Sequence, residues 1–443
     1  MAESAKKEIA VIGSGISGLS AAWLLAKKHK VTIFEKNDKF GGHSNTINIP
    51  MGKLGKNPEI NVDTGFIVYN ELNYPNLTAF FKHLDIKTEP SNMSFSASMD
   101  NGEFEYSGSG IRGLLAQKKN ILNPRFWKMV YGIIRFYKSC PKEMDNKEIG
   151  SISLGEYLKA NKYNKSFIKD HIYPVAGSIW SATNSEIEKF PIKSFINFFY
   201  NHGLLELNIK KRPKWRTVTN GSQAYVKKII ANFPGNLEIK NAVKTVIRNS
   251  NGIIINSENG KENKFDHAVI ATHPNEALKI LHKPNENEIN ILNKIRYENS
   301  HAFLHTDHRA MPKNKSAWSS WNYKSSKNKH FDNKVSLTYW MNKLQNIDYN
   351  YPLFVSLNPE EAPKNDSIIK EFNYDHPIFD FNAIKAQKEL LSIQGKGGVW
   401  YCGAYFGYGF HEDGIQSGLY VAESLGGSKR PWTVKNESGR ILK

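Results

Sequence analysis

The 443-residue chain carries a formal net charge of +18, and 40% of its residues are hydrophobic. That length allows two or three domains with a large core, and the hydrophobic fraction excludes an intrinsically disordered chain. No apolar run reaches the ~20 residues that a membrane-spanning helix needs. The chain has only two cysteines, too few for a disulfide framework, and no Cys or His pair has metal-ligand spacing. We therefore expect no metal site.

The residues before Ile9 lead directly into a strand pattern, so no signal peptide is expected and the chain is predicted to be cytoplasmic. The positive charge has two interpretations. It reflects either compositional drift in a chain rich in Lys, Asn and Ile, or attraction to an anionic surface. No nucleic-acid-binding motif is present, so nucleic acid is not an expected partner. Peripheral association with the inner face of the membrane stays open.

The stretch 9–35 has the pattern of a dinucleotide-binding βαβ unit. An apolar run is followed by Gly13, Gly15 and Gly18 in the spacing G-x-G-x-x-G, then by a helical pattern and a second apolar run ending in Glu35. The glycines allow a tight turn, a close approach of backbone to pyrophosphate and close packing of the helix on the strand. Glu35 can accept hydrogen bonds from a ribose, and the helix N-terminus favours phosphate. The unit predicts a dinucleotide site.

The glycine spacing recurs at Gly108, Gly110 and Gly113. We do not expect the preceding residues GEFEYS to form a buried strand, and no strand ending in an acid follows. The second pattern is therefore interpreted as a turn, which leaves one dinucleotide fingerprint in the chain.

Further glycine-bearing segments extend this pattern. The doublet Gly41–Gly42 lies just after Glu35 and is followed by His43. The segment 60–69 reads INVDTGFIVY, and the segment 398–418 contains a strand pattern followed by YGFHEDGIQSG. Together these segments resemble the flavin amine oxidase superfamily, which also includes carotenoid desaturases and protoporphyrinogen oxidase. His43 stands where the superfamily usually has Arg, and Ala404 stands where it often has an acid.

The resemblance implies FAD as the cofactor, with a helix N-terminus near the N1/O2 edge of the flavin ring. It assigns the FAD contacts to Gly13, Ser14, Gly15, Ile16, Ser17, Gly18, Glu35, Lys36, Gly41, Gly42, His43, Gly65, Phe66, Ile67, Val243, Ala271, Thr272, Gly403, Ala404, Asp413, Gly414 and Ile415.

The predicted fold class is α/β, with a discontinuous Rossmann-type FAD-binding domain and an inserted α+β substrate domain. The FAD-binding domain is expected at 1–90, 213–275 and 391–428, and the substrate domain at 91–212 and 276–390. A basic tail is expected at 429–443. Helices are predicted at 153–172, 185–207, 222–232 and 416–425.

The segment 113–140 interleaves apolar residues with Lys and Arg in a helical pattern. This pattern is typical of an interfacial helix on a membrane, and equally of a helix packed on a core with its lysines in solvent. Trp and Tyr residues between 318 and 340 lie on strand-like stretches. They are interpreted as the lining of an apolar tunnel or simply as core.

The segments FGGHSNT, VDTGFIVYN and YGFHEDG resemble those of a narrower bacterial branch of flavin desaturases. These enzymes act on methyl-branched unsaturated acyl chains on the route to furan fatty acids. That resemblance implies removal of a hydride from an allylic carbon to flavin N5, giving a conjugated diene, with O2 or an unknown acceptor reoxidising the flavin. The implied partner is a lipid acyl chain at the membrane surface. No catalytic base is assigned by spacing, and the candidates are His411, Glu412, His171 and Tyr173. The alternatives are a soluble amine oxidase and a redox-partner flavoprotein without a small substrate.

Overall fold

The computed structural model describes residues 5–50, 59–144, 146, 148–327, 334–434 and 437. Its strands are β1 (Glu8–Ile12), β2 (Lys30–Glu35), β3 (Thr46–Pro50), β4 (Glu59–Asp63), β5 (Val68–Asn70), β6 (Thr88–Ser91), β7 (Phe95–Met99), β8 (Phe104–Ser107), β9 (Trp215–Val218), β10 (Asn236–Ile239), β11 (Val243–Asn249), β12 (Gly252–Ser257), β13 (Glu262–Phe265), β14 (His267–Ile270), β15 (Tyr297–His305), β16 (Trp321–Lys324), β17 (Ser336–Trp340), β18 (Phe354–Leu357), β19 (Ile368–Pro377) and β20 (Val399–Tyr401).

Its helices are α1 (Ile16–Leu25), α2 (Pro75–His83), α3 (Ile111–Leu114), α4 (Pro124–Ser139), α5 (Leu154–Ala160), α6 (Lys165–Phe167), α7 (Tyr173–Trp180), α8 (Asn184–Lys189), α9 (Ile192–Asn201), α10 (Gln223–Ala231), α11 (Pro274–Ile280), α12 (Glu286–Leu292), α13 (Met341–Leu344), α14 (Phe381–Glu389) and α15 (His411–Ser424). Among the described residues, no helix combines the length and apolarity needed to cross a bilayer.

A five-stranded parallel sheet, in the order β10-β2-β1-β14-β20, forms the centre of the nucleotide-binding region. Alternate residues of β1 enter different cores. Ile9 and Val11 pack with α1 and α15, whereas Ala10 and Ile12 pack toward β11–β13. Both faces are therefore covered at the centre of the sheet, which explains why β1 and β14 are mostly apolar, whereas the edge strand β10 is largely exposed. The carboxyl ends of β1, β2, β14 and β20 meet at one edge, where the predicted cofactor motifs begin.

A seven-stranded sheet, in the order β19-β15-β18-β17-β16-β7-β8, forms the centre of the inserted region. The β7–β16 pair is parallel, and the remaining pairs are antiparallel. The expectation that the residues before Gly108 do not make a buried strand is wrong, because all four residues of β8 are buried. The strand pairs antiparallel with β7, so the second glycine pattern still does not begin a dinucleotide-binding unit.

A helical layer, α4–α9, covers one side of the inserted region around a core of aromatic side chains. The helix predicted at 185–207 is divided into α8 and α9 at Phe190 and Pro191. The helix predicted at 153–172 is divided into α5, α6 and a π-helical turn at Ile168–Ile172. The helix predicted at 222–232 is confirmed as α10.

Buried Asp63 connects the two regions. Its carboxylate accepts hydrogen bonds from the backbone N–H and hydroxyl of Ser222, from the Thr46 hydroxyl and from the Gln345 amide. Through these four hydrogen bonds, one buried carboxylate connects the end of β4 with the start of α10 and with the inserted region.

Two packing details bear on the predicted boundaries. The helices α11, α12 and α14, which the sequence assigned mainly to the substrate domain, pack in the core that covers one face of the parallel sheet. In the predicted tail, Trp432 stacks on Trp23, and Arg430 pairs with Glu423, so residues 429–434 lie against α1 and α15. Residues 435, 436 and 438–443 lie outside the described residues. The domain boundaries themselves stay a prediction.

Candidate functional site

The helices α1 and α15 lie side by side with their N-termini at the carboxyl edge of the parallel sheet. Their contact is close because α15 presents Gly414 and Gly418 to α1. A Cβ at Gly414 would lie 2.9 Å from the Ser17 hydroxyl oxygen, and one at Gly418 would lie 2.2 Å from the Ser17 carbonyl oxygen. The N-termini of α1 and α15 therefore lie together at this edge of the sheet, which we call the crevice, and their dipoles favour a negatively charged ligand.

The three glycines of the first fingerprint form a cradle in which each has a different steric role. A Cβ at Gly18 would lie 1.9 Å from the Gly13 carbonyl oxygen, and one at Gly13 would lie 2.9 Å from the Ala271 carbonyl oxygen. A Cβ at Gly15 would meet no atom within 4 Å. The tight contacts pack helix on strand, whereas the open face of Gly15 leaves room for a pyrophosphate.

Buried Glu35 ends β2 at the same crevice. One carboxylate oxygen accepts hydrogen bonds from the backbone N–H and the hydroxyl of Ser14, and the other accepts from the backbone N–H of Asn37 at 2.9 Å. These contacts fix the carboxylate, and its remaining lone pairs can accept ribose hydroxyls. Together with the open Gly15 cradle, this donor and acceptor set fits a dinucleotide such as FAD.

Two loops that are distant from the fingerprint in sequence complete this wall of the crevice. A Cβ at Gly42 would lie 3.1 Å from the Gly15 Cα, so the glycine doublet lies against the fingerprint. The Phe66 N–H donates to the His43 carbonyl oxygen at 2.7 Å, and a Cβ at Gly65 would lie 2.2 Å from that oxygen. The structure therefore brings the predicted 41–43 and 65–67 segments together.

The other predicted cofactor residues occupy the ends of neighbouring elements. Lys36 forms an ion pair with Glu276 at 2.5 Å, and Val243 begins β11 in a buried position. Ala271 and Thr272 directly follow β14. Gly403 and Ala404 follow β20, where the Gly403 N–H donates to the Ser417 hydroxyl at 3.0 Å.

His411 begins α15 and lies in the crevice, although the sequence predicted that this helix begins at 416. Its ring stacks on Phe66 with centroids 3.7 Å apart, and its Nε2 lies 3.1 Å from the Ser44 hydroxyl oxygen. Burial, with a smaller contribution from His43, lowers the pKa of His411 to about 3. The imidazole is therefore neutral at physiological pH and a weak proton acceptor.

Glu412, a candidate base in the sequence, lies at the N-terminus of α2. The fully buried carboxylate accepts hydrogen bonds from the Asn76 N–H and side-chain amide at 3.0 Å and from the Leu77 N–H at 2.9 Å. These N–H groups belong to the first turn of α2, so Glu412 stabilises the N-terminus of that helix. Asp413, predicted as a cofactor contact, accepts from the Phe410 N–H at 2.8 Å and caps α15.

His171 and Tyr173, two further catalytic candidates, form hydrogen bonds within the inserted region. The Tyr106 hydroxyl donates to the Asp170 carbonyl, so it accepts from His171 Nδ1–H at 3.0 Å. His171 Nε2 then accepts from the Tyr137 hydroxyl at 2.9 Å. Burial lowers the pKa of His171 to about 3. The Tyr173 hydroxyl donates to Glu188.

A group of rings that was not predicted from the sequence surrounds His43. Tyr374 and His376 extend from β19 toward the His43 ring, with centroids 5.2 and 6.1 Å away, and His273 lies 6.3 Å away. Burial, followed by the neighbouring His376 and His273, lowers the pKa of His43 to about 3. Burial lowers the pKa of His376 to about 4. The alternation of Phe372, Tyr374 and His376 on one face of β19 was the available signal.

An apolar aromatic wall borders the crevice at the N-terminus of α15. We define the wall as Trp180, Phe198, His202, Tyr408 and Phe410. Phe198 lies 4.8 Å from Trp180, 3.9 Å from His202 and 5.3 Å from Phe410, between ring centroids. Trp180, Phe198 and His202 are buried, whereas Tyr408 and Phe410 are partly exposed beside His411.

Comparisons with known proteins agree with this geometry. Residues 16–352 match the model of the family described as flavin containing amine oxidoreductase. The fold is similar to that of the CLA-producing fatty acid isomerase from P. acnes, with TM-score 0.66 and 14% identity over 96% of this chain and 99% of that one. It is similar to putrescine oxidase bound to putrescine, with TM-score 0.66 and 13% identity over 95% and 99%. Cyclohexylamine oxidase from Brevibacterium oxydans gives TM-score 0.62 and 13% identity over 95% and 100%.

Proposed function

The chain belongs to the flavin-containing amine oxidoreductase family and is an FAD-dependent oxidoreductase, and from this premise we propose that it desaturates a lipid acyl chain. The proposed substrate is a methyl-branched unsaturated chain of a phospholipid. Bound FAD would accept a hydride from an allylic carbon, and the proton lost with it would pass to solvent, which leaves a conjugated diene. O2 is the proposed final electron acceptor.

The apolar aromatic wall is the observation that carries this proposal. It lies directly before α15, and its side chains carry no negative charge. The nearest acids in sequence are Glu412, which caps α2, and Asp413, which caps α15. The rings of the wall stack on one another, Phe198 on His202 and on Phe410, instead of enclosing a cation, and the wall holds no carboxylate. An ammonium substrate needs a carboxylate or an enclosing cage of ring faces to replace its hydration, whereas an acyl chain needs an apolar surface. The wall therefore favours an acyl chain over an amine.

The roles of the chain's own residues follow from their contacts. We propose that the open face of Gly15 and the N-terminus of α1 bind the pyrophosphate and that Glu35 binds a ribose. The wall binds the acyl chain and excludes water. His411, with its low pKa and its stack on Phe66, positions the loop 65–67 instead of accepting the proton.

The test is anaerobic mixing of the purified protein with phospholipids that carry methyl-branched monounsaturated chains, monitored by loss of the oxidised flavin absorbance. We expect bleaching by these lipids and none by saturated lipids. Bleaching by amines such as putrescine, but not by the lipids, would overturn the proposal in favour of an amine oxidase. Bleaching by neither would favour a redox-partner flavoprotein.

A matched pair of variants tests the wall itself. Phe410→Asp places a carboxylate in the wall, and we expect the rate of flavin reduction by lipid to fall at least about tenfold because burying the charge beside an acyl chain is unfavourable. Phe381→Asp makes the same change at an exposed position at the start of α14 and should leave the rate unchanged. Flavin absorbance of each variant checks that the cofactor is still bound.

A further inference from the structure

A surface on the inserted region combines exposed apolar side chains with uncompensated positive charge. We define the docking surface as the exposed side chains Ile111, Ile121, Leu122, Trp127, Tyr131 and Ile134. These are six of the fifteen exposed large hydrophobic side chains among the described residues. They include the two most exposed, Leu122 at 88% and Ile111 at 78%. Such a concentration in one segment is unusual for a surface that only faces water.

The docking surface is held rigidly. The Asn123 side chain accepts the Arg125 N–H and caps α4, and the Trp127 indole N–H donates to the Ile121 carbonyl at 2.8 Å. The preceding turn is tied to the sheet because the Asn120 amide donates to the Glu105 carbonyl at 2.9 Å. The apolar side chains are therefore presented by a fixed scaffold.

The helix α4 has two apolar faces, which resolves the two interpretations of its sequence. Phe126, Met129 and Phe136 are buried against the protein, as a core helix requires. Trp127, Tyr131 and Ile134 repeat at helical spacing on the opposite side and are exposed. The buried face alone accounts for the packing of α4, so the exposed stripe is left without a partner among the described residues.

The charge around this stripe has one sign. Residues 106–142 contain eight Lys and Arg residues and no Asp or Glu. Of these eight, only Arg125 has an ion-pair partner among the described residues, since it contacts Asp100 and Asp170. Beside the stripe, an open pocket of about 470 Å³ is lined by Lys128, Arg135, Lys162 and Lys165 together with Tyr131. Four cations around a pocket suit a phosphate-bearing headgroup.

We infer that the docking surface binds an anionic phospholipid bilayer, with the apolar stripe inserted at the acyl boundary and the basic pocket at the headgroups. An exposed apolar stripe with a basic border is the arrangement of an interfacial helix. The inner face of α4 shares the aromatic core that contains Phe198 and contacts Phe410. Only α4 would therefore separate a bilayer at this surface from the core that contains Phe198.

This inference deepens the proposed function, but vesicle binding is measured without turnover. Full-length flavin-loaded protein is sedimented with vesicles of saturated phosphatidylcholine, with or without about one third phosphatidylglycerol. We expect binding to the anionic vesicles, weaker binding to the neutral ones, and loss of binding as the salt concentration rises. Absence of binding to anionic vesicles at low salt would overturn the inference.

Matched variants locate the surface. Leu122→Glu and Tyr131→Glu should each weaken vesicle binding at least about tenfold, because an apolar side chain that enters the bilayer is replaced by a charge. Leu72→Glu and Tyr349→Glu alter similarly exposed side chains elsewhere (67% and 62% exposed) and should have little effect. Equal losses of vesicle binding in the docking-surface variants and in the control variants would overturn the assignment of the docking surface as the membrane contact.

A second pair tests the charges. Lys128→Glu with Lys165→Glu should weaken binding to anionic vesicles about tenfold, whereas Lys244→Glu with Lys264→Glu, on the exposed β11–β13 sheet, should not. The unaltered protein could instead form a dimer and bind no vesicles. If Leu122→Glu then dissociates that dimer, a second copy covers the surface and the inference is overturned. Vesicle binding without flavin reduction by any lipid would contradict only the proposed desaturase function.

Discussion

The nucleotide-binding region and the inserted region carry function in different ways. In the first, the functional groups are mostly backbone: the glycine cradle and two helix N-termini. In the second, they are side-chain surfaces, namely the docking surface and most of the aromatic wall, to which the nucleotide-binding region adds Tyr408 and Phe410. Backbone geometry depends on a few local residues, whereas a surface depends on which distant elements pack together. Substitutions should therefore act through sterics in the first region and through polarity and charge in the second.

The sharpest test of the backbone role compares two glycines of one motif. Gly18→Ala places a Cβ 1.9 Å from the Gly13 carbonyl oxygen, and we expect a loss of about 4 kcal/mol or more in stability, or no folded protein. Gly15→Ala meets no atom within 4 Å. It should leave the unfolding free energy of the cofactor-free protein unchanged and weaken FAD binding. Urea unfolding and FAD titration measure the two effects, and equal destabilisation by both substitutions would contradict the distinction.

Glu412 tests whether an acid beside the crevice serves structure or chemistry. Glu412→Gln keeps the shape but removes the charge at the N-terminus of α2, so we expect about 1–3 kcal/mol of lost stability. The rate of flavin reduction by substrate should change little, since the carboxylate is occupied by Asn76 and Leu77. Thermal unfolding and rapid-mixing kinetics distinguish these roles. A large fall in rate with unchanged stability would restore Glu412 as the base.

The buried histidines predict a pH-dependent effect on stability in both regions. The pKa of His43, His171 and His411 is lowered to about 3, so each is neutral in the folded protein and protonated in the unfolded chain below about pH 6.5. Their stabilising contribution is present above about pH 6.5 and is lost as the pH falls toward 3. Each can lower stability by up to about 1.4 kcal/mol per pH unit.

His171→Gln isolates one of these groups, because it replaces the titrating ring between the two Tyr hydroxyls with a neutral amide. We expect the stability of the variant to fall less steeply than that of the unaltered protein between about pH 6 and pH 4. Unfolding free energies from urea titrations across this range provide the measurement. His301→Gln, at an exposed ring on β15, is the matched control, and parallel slopes for His171→Gln and the unaltered protein would contradict the prediction.

Sequence patterns anticipated the parts of the molecule whose causes are local. The strand, turn and helix of residues 9–35 form as expected because glycine spacing and apolar periodicity act within one βαβ unit. The helix α15 was placed five residues too late, since Phe410 is not a typical capping residue and the cap comes from Asp413 inside the helix. The burial of β8 was missed because this strand contains polar residues. Their burial depends on pairing with β7, which the local sequence of β8 does not show.

The sequence by itself determined the dinucleotide fingerprint, the flavin-type segments and the excess of positive charge, because each is a property of neighbouring residues. Only the tertiary structure decided that Glu412 caps a helix 336 residues away along the chain, and that Tyr374 and His376 meet His43. It also decided which apolar residues of α4 face water. These outcomes depend on long-range packing, in which a side chain's neighbours come from other segments and its role follows from them.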